Sequence, residues 1–235
     1  VDSNDASFIM EKANSNSVLV IVPAYNAAKY LDELIPRILE YVCPENLLVI
    51  NDGSSDDTLS KLKNLNVNYL SFPQNRGKGA ALIAGYNYAK EYGYRSVLAI
   101  DADLQHLPED IPSFFGLDDG MTVVIGTRHF DRKIMPFDRW LTNNLTSLLI
   151  SIFSTTRIRD SQSGYRLIPT SFLNIAPLKT IKYDLESEML FKAGAAGFSF
   201  EEVPISTIYE GSHSYINPII DSARFIRQIW KRIWY

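Results

Sequence analysis

Asp101-Ala102-Asp103-Leu104-Gln105-His106 puts two acids and an amide directly behind the apolar run Val97-Leu98-Ala99-Ile100. Carboxylates at this spacing suit one hard cation, on one condition. Strand periodicity alone would place both on one face, so convergence requires the backbone to turn there. The competing reading makes them solvated loop acids, with Asp103 capping a helix suggested by Leu107-Pro108-Glu109-Asp110. A second apolar run, Leu47-Leu48-Val49-Ile50, also ends in an acid, Asn51-Asp52-Gly53-Ser54. Two strands delivering acids to one sheet edge describe a ligand site.

Cationic chemistry sits at comparable positions. Gln74-Asn75-Arg76-Gly77-Lys78-Gly79 opens a long helical pattern running to Tyr92. Glycine permits close backbone approach, and lysine and arginine at a helix amino terminus suit phosphate. The spacing matches neither a Walker loop nor a complete dinucleotide fingerprint, so a plain flexible lead into a helix is the alternative. Met121-Thr122-Val123-Val124-Ile125-Gly126 reads as a buried strand with Thr127-Arg128-His129 at its end, which puts Arg128 on the rim of Asp103. A guanidinium there could grip a phosphate through paired hydrogen bonds, or be a surface arginine. His106 and His129 are either bases or incidental loop histidines.

These groups need a sheet to converge. Val18 to Val22 reads as a first strand ended by Pro23, which cannot donate to a central ladder. Tyr30, Leu31, Leu34, Ile35, Ile38 and Leu39 follow at helical spacing, ending near Cys43-Pro44. Ser55-Asp56-Asp57-Thr58 supplies caps for a helix through Leu59, Leu62 and Leu65, and Val67 to Leu70 reads as a third strand. Asp160-Ser161-Gln162-Ser163-Gly164-Tyr165-Arg166 is loop-like. A helix starts at Tyr183-Asp184-Leu185-Glu186, its acids ordinary first-turn residues, and Phe198 to Ile205 is a late strand. Strand–helix alternation predicts an α/β fold, a mostly parallel sheet with helices on both faces.

Two segments are amphipathic. Leu141, Leu145, Leu148, Leu149, Ile152 and Phe153 line one helical face, which either packs in the core or lies at a lipid surface. The final helix, 216–235, combines Ile219, Ile226, Trp230 and Ile233 with Arg224, Arg227, Lys231 and Arg232. It reads as a packed terminus, an oligomer handle or an interfacial anchor on anionic lipid.

The 235 residues, 46% hydrophobic, suit one large domain with its own core. A net charge of −4 argues against a general nucleic-acid binder. Cys43 is the only cysteine, so no internal disulfide forms; a small packed hydrophobe is its expected role. No segment reaches the roughly 18 uninterrupted apolar residues of a membrane span. The first residues lack a basic and then apolar leader, so neither secretion nor integral insertion is expected. Residues 1–16 read as a polar, flexible lead-in.

Val20-Ile21-Val22-Pro23-Ala24-Tyr25-Asn26, Asn51-Asp52-Gly53-Ser54, Asn75-Arg76-Gly77-Lys78-Gly79-Ala80-Ala81 and Asp101-Ala102-Asp103-Leu104-Gln105-His106 stand in the order seen in family 2 glycosyltransferases. Gly126-Thr127-Arg128 and Asp160 to Arg166 resemble the dolichyl or polyprenyl phosphate mannosyltransferase branch. The resemblance spans roughly residues 17 to 225. It implies a GT-A (Rossmann-like) catalytic domain over 17–215. It also implies inverting, metal-dependent transfer of a hexose, mannose or glucose, from a nucleotide sugar (GDP-mannose or a UDP-hexose) to a polyprenyl phosphate. Asp101, Asp103 and Gln105 would hold Mg2+ or Mn2+. Pro23, Ala24, Tyr25, Asn26, Asp52, Lys78, Asp101 and Ala102 would line the nucleotide site, with Asp52 on the base. Arg128, Arg139, Ser163, Arg166 and His213 would meet phosphate or acceptor. Asp103, Arg128 and Asp160 would be catalytic. For a hydroxyl acceptor Asp160 would be the base; for a phosphate acceptor it would orient other groups. Ala27 stands where the family often has an acid, and His213 where it often has a stronger base. The expected location is cytoplasmic, peripheral at the cytoplasmic face of a membrane. The alternatives are a family 2 enzyme acting on a glycan or other hydroxyl acceptor, and a noncatalytic nucleotide-sugar-binding subunit.

Overall fold

The computed structural model describes residues 17–128, 158, 160, 163–176, 178 and 185–206. Seven strands form one sheet: β1 (Val18–Ala24), β2 (Leu47–Asn51), β3 (Asn68–Ser71), β4 (Ser96–Ala99), β5 (Thr122–Arg128), β6 (Arg166–Pro169) and β7 (Ser199–Ile205). The described helices are α1 (Ala28–Leu39), α2 (Thr58–Asn64), α3 (Lys78–Glu91), α4 (Ile111–Phe115), α5 (Thr170–Ile175) and α6 (Leu185–Ala195). Residues 140–153 and 216–235, both expected to form amphipathic helices, lie outside the described residues, as do residues 1–16. Among the described residues no helix is long and apolar enough to cross a membrane.

The strand order is β3-β2-β1-β4-β6-β5-β7. β1, β2, β3 and β4 run parallel, β6 runs against both β4 and β5, and β7 runs with β5. The carboxyl ends of all strands but β6 therefore share one edge, and β6 begins there. That edge gathers the residues after each apolar run.

Alternation along β1 builds two cores. Val18, Val20 and Val22 pack with Leu31, Leu34, Ile35 and Ile38 of α1 and Phe114 of α4 on one face. Leu19 and Ile21 pack with Ala81, Leu82 and Tyr86 of α3 and Leu190 of α6 on the other. Each such aliphatic side chain, taken out of water, contributes about 1.5–3 kcal/mol before conformational entropy is counted.

Three expectations need correction. Pro23 does not end β1, which continues to Ala24. The β4 side of the ladder stops at Ile21, where Ile21 O accepts the Ile100 N–H, while pairing with β2 runs on to Ala24. A residue without an N–H there leaves no partner on the β4 side wanting. The first helix ends at Leu39, and Pro44 instead opens a 3-10 turn, Pro44–Asn46. Finally, Arg166 is no loop residue: it starts the antiparallel strand β6, followed by α5. A charged residue opening a four-residue strand masks the apolar pattern.

Candidate active site

Loops from β1 and β2 are stitched together at the rim. Asn26, at φ 51°, accepts the Ser55 N–H on Oδ1 at 2.8 Å, and its own N–H reaches Ser54 Oγ at 2.9 Å. Asp56 accepts from the backbone N–H groups of Ala28 and Thr58, so one carboxylate serves the starts of α1 and α2. Ala27, where an acid was the family expectation, is buried, and its N–H is held by Thr58 Oγ1 at 2.9 Å. Pro23 is half-buried and Ala24 buried, while Tyr25 is 52% exposed and presents a free ring at the rim.

Asp52 is buried and receives two backbone N–H groups, Arg76 on Oδ1 at 2.8 Å and Gly77 on Oδ2 at 2.9 Å. The carboxylate thus anchors the segment that starts α3. Gly53 allows this: at φ +64° it packs so closely that a Cβ would lie 2.1 Å from the Gln74 carbonyl carbon. Only glycine accepts both the left-handed backbone and that contact.

The acid-bearing segment does turn. β4 ends at Ala99, and Leu104 adopts φ 58°, a conformation costing a non-glycine residue about 1–3 kcal/mol. The backbone is bent where two acids and an amide must be brought round. Asp101 lies against Lys78, the first residue of α3, whose Nζ is 2.7 Å from Oδ1 and 3.0 Å from Oδ2. Glu186 of α6 approaches the same ammonium at 2.9 Å. Burial disfavours the Lys78 charge, but Asp101 and Glu186 outweigh it and raise its pKa. Burial likewise pushes the Asp101 carboxyl up, yet Lys78 holds it below its ordinary value. Ala102 between the acids is buried.

Asp103 differs. Its pKa is raised by burial and by the neighbouring Asp101 charge, with the Gln105 N–H at 3.1 Å opposing. Among the described residues it has no ion-pair partner. Asp103, without an ion-pair partner among the described residues and close enough to Asp101 for its charge to act on it, fits a divalent cation, with Gln105 the further oxygen donor that the family resemblance implies. No group of three His, Cys, Asp or Glu side chains among the described residues could hold a metal. That donor set suits Mg2+ or Mn2+, which complete their shells with substrate phosphates and water. His106 sits beneath: burial drives its pKa down to about 4 against the pull of Asp101, and its buried Nδ1 has no hydrogen-bond partner. It is neutral near pH 7.

On the β5 side the charges are paired. Asp160 is fully buried and takes the Arg128 guanidinium in two bonds, Nε to Oδ2 at 2.7 Å and Nη2 to Oδ1 at 3.0 Å. Arg166 is also buried and donates to Ser163 O at 2.6 Å and Glu186 O at 2.7 Å, beneath the rim. Burial pulls its pKa down, with Glu186 opposing. Ser163 is buried and accepts the Tyr165 N–H on Oγ. Arg139 and His213 lie outside the described residues.

The structure therefore brings Lys78, Asp101 and Asp103 together, joins Arg128 to Asp160, and ties Asp52 to the same segment as Lys78. Two members were not anticipated. Glu186 read as an ordinary helix-start acid, and nothing in its position within the chain pointed to Lys78. Gly164 read as loop composition, but a Cβ there would lie 2.5 Å from Asp101 Oδ2 and 2.9 Å from Lys78 Nζ.

Comparison with known proteins agrees with this architecture. Glucosyl-3-phosphoglycerate synthase from Mycobacterium tuberculosis, solved with Mn2+, UDP and glucosyl-3-phosphoglycerate, superposes with a TM-score of 0.72 at 19% identity, covering 96% of this chain and 83% of that one. The fold is therefore of the GT-A type. The UDP-N-acetylglucosamine–dolichyl-phosphate N-acetylglucosaminyltransferase of Methanococcus voltae is 29% identical over 216 residues, 82% of this chain and 86% of that protein. The polyprenol monophosphomannose synthase of Mycolicibacterium smegmatis is 28% identical over 202 residues, 80% and 76% respectively. The undecaprenyl-phosphate mannosyltransferase of Micrococcus luteus is 29% identical over 202 residues, 81% and 83%. Residues 19–180 match the family described as Glycosyl transferase family 2, and the chain belongs to that family of glycosyltransferases.

Proposed function

We propose that this glycosyltransferase moves a hexose, mannose or glucose, with inversion from a nucleotide sugar to a polyprenyl phosphate at the cytoplasmic face of a membrane. The relatives named above take dolichyl, polyprenol and undecaprenyl phosphates, and differ among themselves in the sugar. The observation that carries the acceptor class is the Arg128–Asp160 pair. A hydroxyl acceptor needs a group to take its proton, whereas a phosphate monoester is largely ionised near neutrality and needs cations that position it. Asp160, fully buried with its two oxygens on Arg128, is built to aim a guanidinium.

In the reaction an acceptor phosphate oxygen forms a bond to the anomeric carbon. The bond from that carbon to the nucleoside diphosphate breaks on the opposite face, and the diphosphate leaves with the electron pair. Asp101, Asp103 and Gln105 would hold Mg2+ or Mn2+, which supplies Lewis-acid stabilisation to the charge growing on the diphosphate. Asp52 keeps the start of α3 in place beside the nucleoside, and Tyr25 offers a face to the base. Lys78 lies at the amino terminus of α3, where phosphate is favoured. Arg128, held by Asp160, faces acceptor phosphate, with Arg139 and His213 proposed as further contacts; Ser163 and Arg166, both buried, support the segment from beneath and do not touch the acceptor. The proposed catalytic unit is 17–215, and the apolar and basic side chains of 216–235, by their sequence pattern, would bring it to the lipid.

The test crosses donors with acceptors. Purified protein is given radiolabelled GDP-mannose, UDP-glucose or UDP-N-acetylglucosamine, each with undecaprenyl phosphate in detergent or with free sugars. Label entering the lipid fraction, lost on adding a chelator, is the expected result. Transfer confined to sugar hydroxyls would overturn the acceptor assignment.

A further inference from the structure

We infer that Lys78 is a resident counter-ion of the Asp101–Asp103 cation site, competing with the divalent ion for Asp101, and that Glu186 is the positioning residue that draws Lys78 aside. This rests on the assignment of Asp101 and Asp103 as cation ligands made above.

The geometry is that of a shared cation. Lys78 Nζ stands 2.7 Å from Asp101 Oδ1 and 2.9 Å from Glu186 Oε1. The two acids come from different elements, the turn after β4 and the first turn of α6, so the ammonium is held between parts that do not otherwise share a strand or helix. Gly164 closes one side, since a single added carbon would press on both Asp101 and Lys78. The ammonium therefore has little room to leave, but it can shift its weight from one carboxylate to the other. Asp101, Asp103 and Glu186 outnumber Lys78 and the nearby Arg166 guanidinium in charge, which leaves a negative excess that a divalent ion would relieve. A dication on Asp101 and an ammonium at 2.7 Å repel one another. Glu186 offers Lys78 a second anchor when Asp101 is taken. The same ammonium, at the start of α3, is then available to a donor diphosphate.

Removing Lys78 should thus move two affinities in opposite directions. Mn2+ binding to the 235-residue protein, followed by the EPR signal of free Mn2+ without donor, should tighten about fivefold or more in Lys78→Met. The KM for donor should rise at the same time. Glu186→Gln should weaken Mn2+ about fivefold, and most of that loss should vanish in the Lys78→Met background, because Glu186 acts through Lys78. Lys78→Arg keeps the charge and should show no tightening, and circular dichroism melts check that each variant is folded. Unchanged or weaker Mn2+ binding in folded Lys78→Met overturns the inference, as does an undiminished effect of Glu186→Gln in that background. If wild-type protein binds no Mn2+ at all, the cation-site assignment itself falls, and this inference with it.

Discussion

Asp52 and Asp160 are both buried carboxylates at one sheet edge, yet they are satisfied in opposite ways. Asp52, behind β2, accepts two neutral backbone N–H groups, those of Arg76 and Gly77. Asp160, across the sheet beside β5, is neutralised by the Arg128 guanidinium. The difference divides the rim. The β2 and β4 side keeps negative charge over on Asp103, which no cation among the described residues pairs. The β5 side spends its acid on shaping a positive group. Under the function proposed above, this asymmetry would let a metal-bound diphosphate and an anionic acceptor be held close together.

The contrast is broken most severely by Asp160→Asn, which leaves the largely buried guanidinium without its countercharge. Urea denaturation should show a loss of about 3–5 kcal/mol, and an Arg128→Met, Asp160→Leu double variant should recover stability without recovering transfer. A loss below about 1 kcal/mol would mean that the pair does not shape this side. Asp103→Asn tests the other side. It should fold and melt almost like wild type while turnover falls about 10²–10³-fold; undiminished, metal-dependent turnover would remove the cation role. Gly53→Ala attacks the Asp52 anchor without touching a charge. Left-handed strain and the clash with Gln74 should cost about 1–3 kcal/mol in thermal melts and raise the donor KM, and a neutral outcome would show that the 74–77 segment yields easily.

The smallest effect is acid sensitivity. His106 stays neutral in the fold down to about pH 4, whereas the unfolded chain protonates it near 6.5. Between those values the unfolded state binds more protons, so this contribution to stability is full above pH 6.5 and is lost as pH falls toward 4. The excess loss from pH 7 to pH 5 should be about 2 kcal/mol relative to His106→Gln, measured by parallel urea titrations. Equal slopes in the two proteins would show that burial of this imidazole costs nothing.

Local pattern was enough for much of this molecule. Apolar runs ending in Asp52, Asp101 and Arg128 read directly as strand ends, since a strand covered on both faces has no polar alternation to hide it. The requirement for a turn behind Asp101 was also legible, and the chain turns at Ala102 and Asp103, with Leu104 at φ 58° directly after. The antiparallel strand β6 was not, because its first residue is an arginine whose charge is answered by carbonyls of Ser163 and Glu186, one of them remote. Pro23 misled for a related reason. Whether a missing N–H matters depends on how far the neighbouring strand extends, and only the β1–β4 register tells that.

The order of residues along the chain determined the α/β alternation and which charged groups stand at strand ends and helix starts, because burial periodicity and turn chemistry act over a few residues. The folded structure alone decided which charge answers which: Arg128 with Asp160, Lys78 with both Asp101 and Glu186. Ion pairs form between groups brought close in space, and these partners are separated by tens of residues, a distance over which no local pattern carries information.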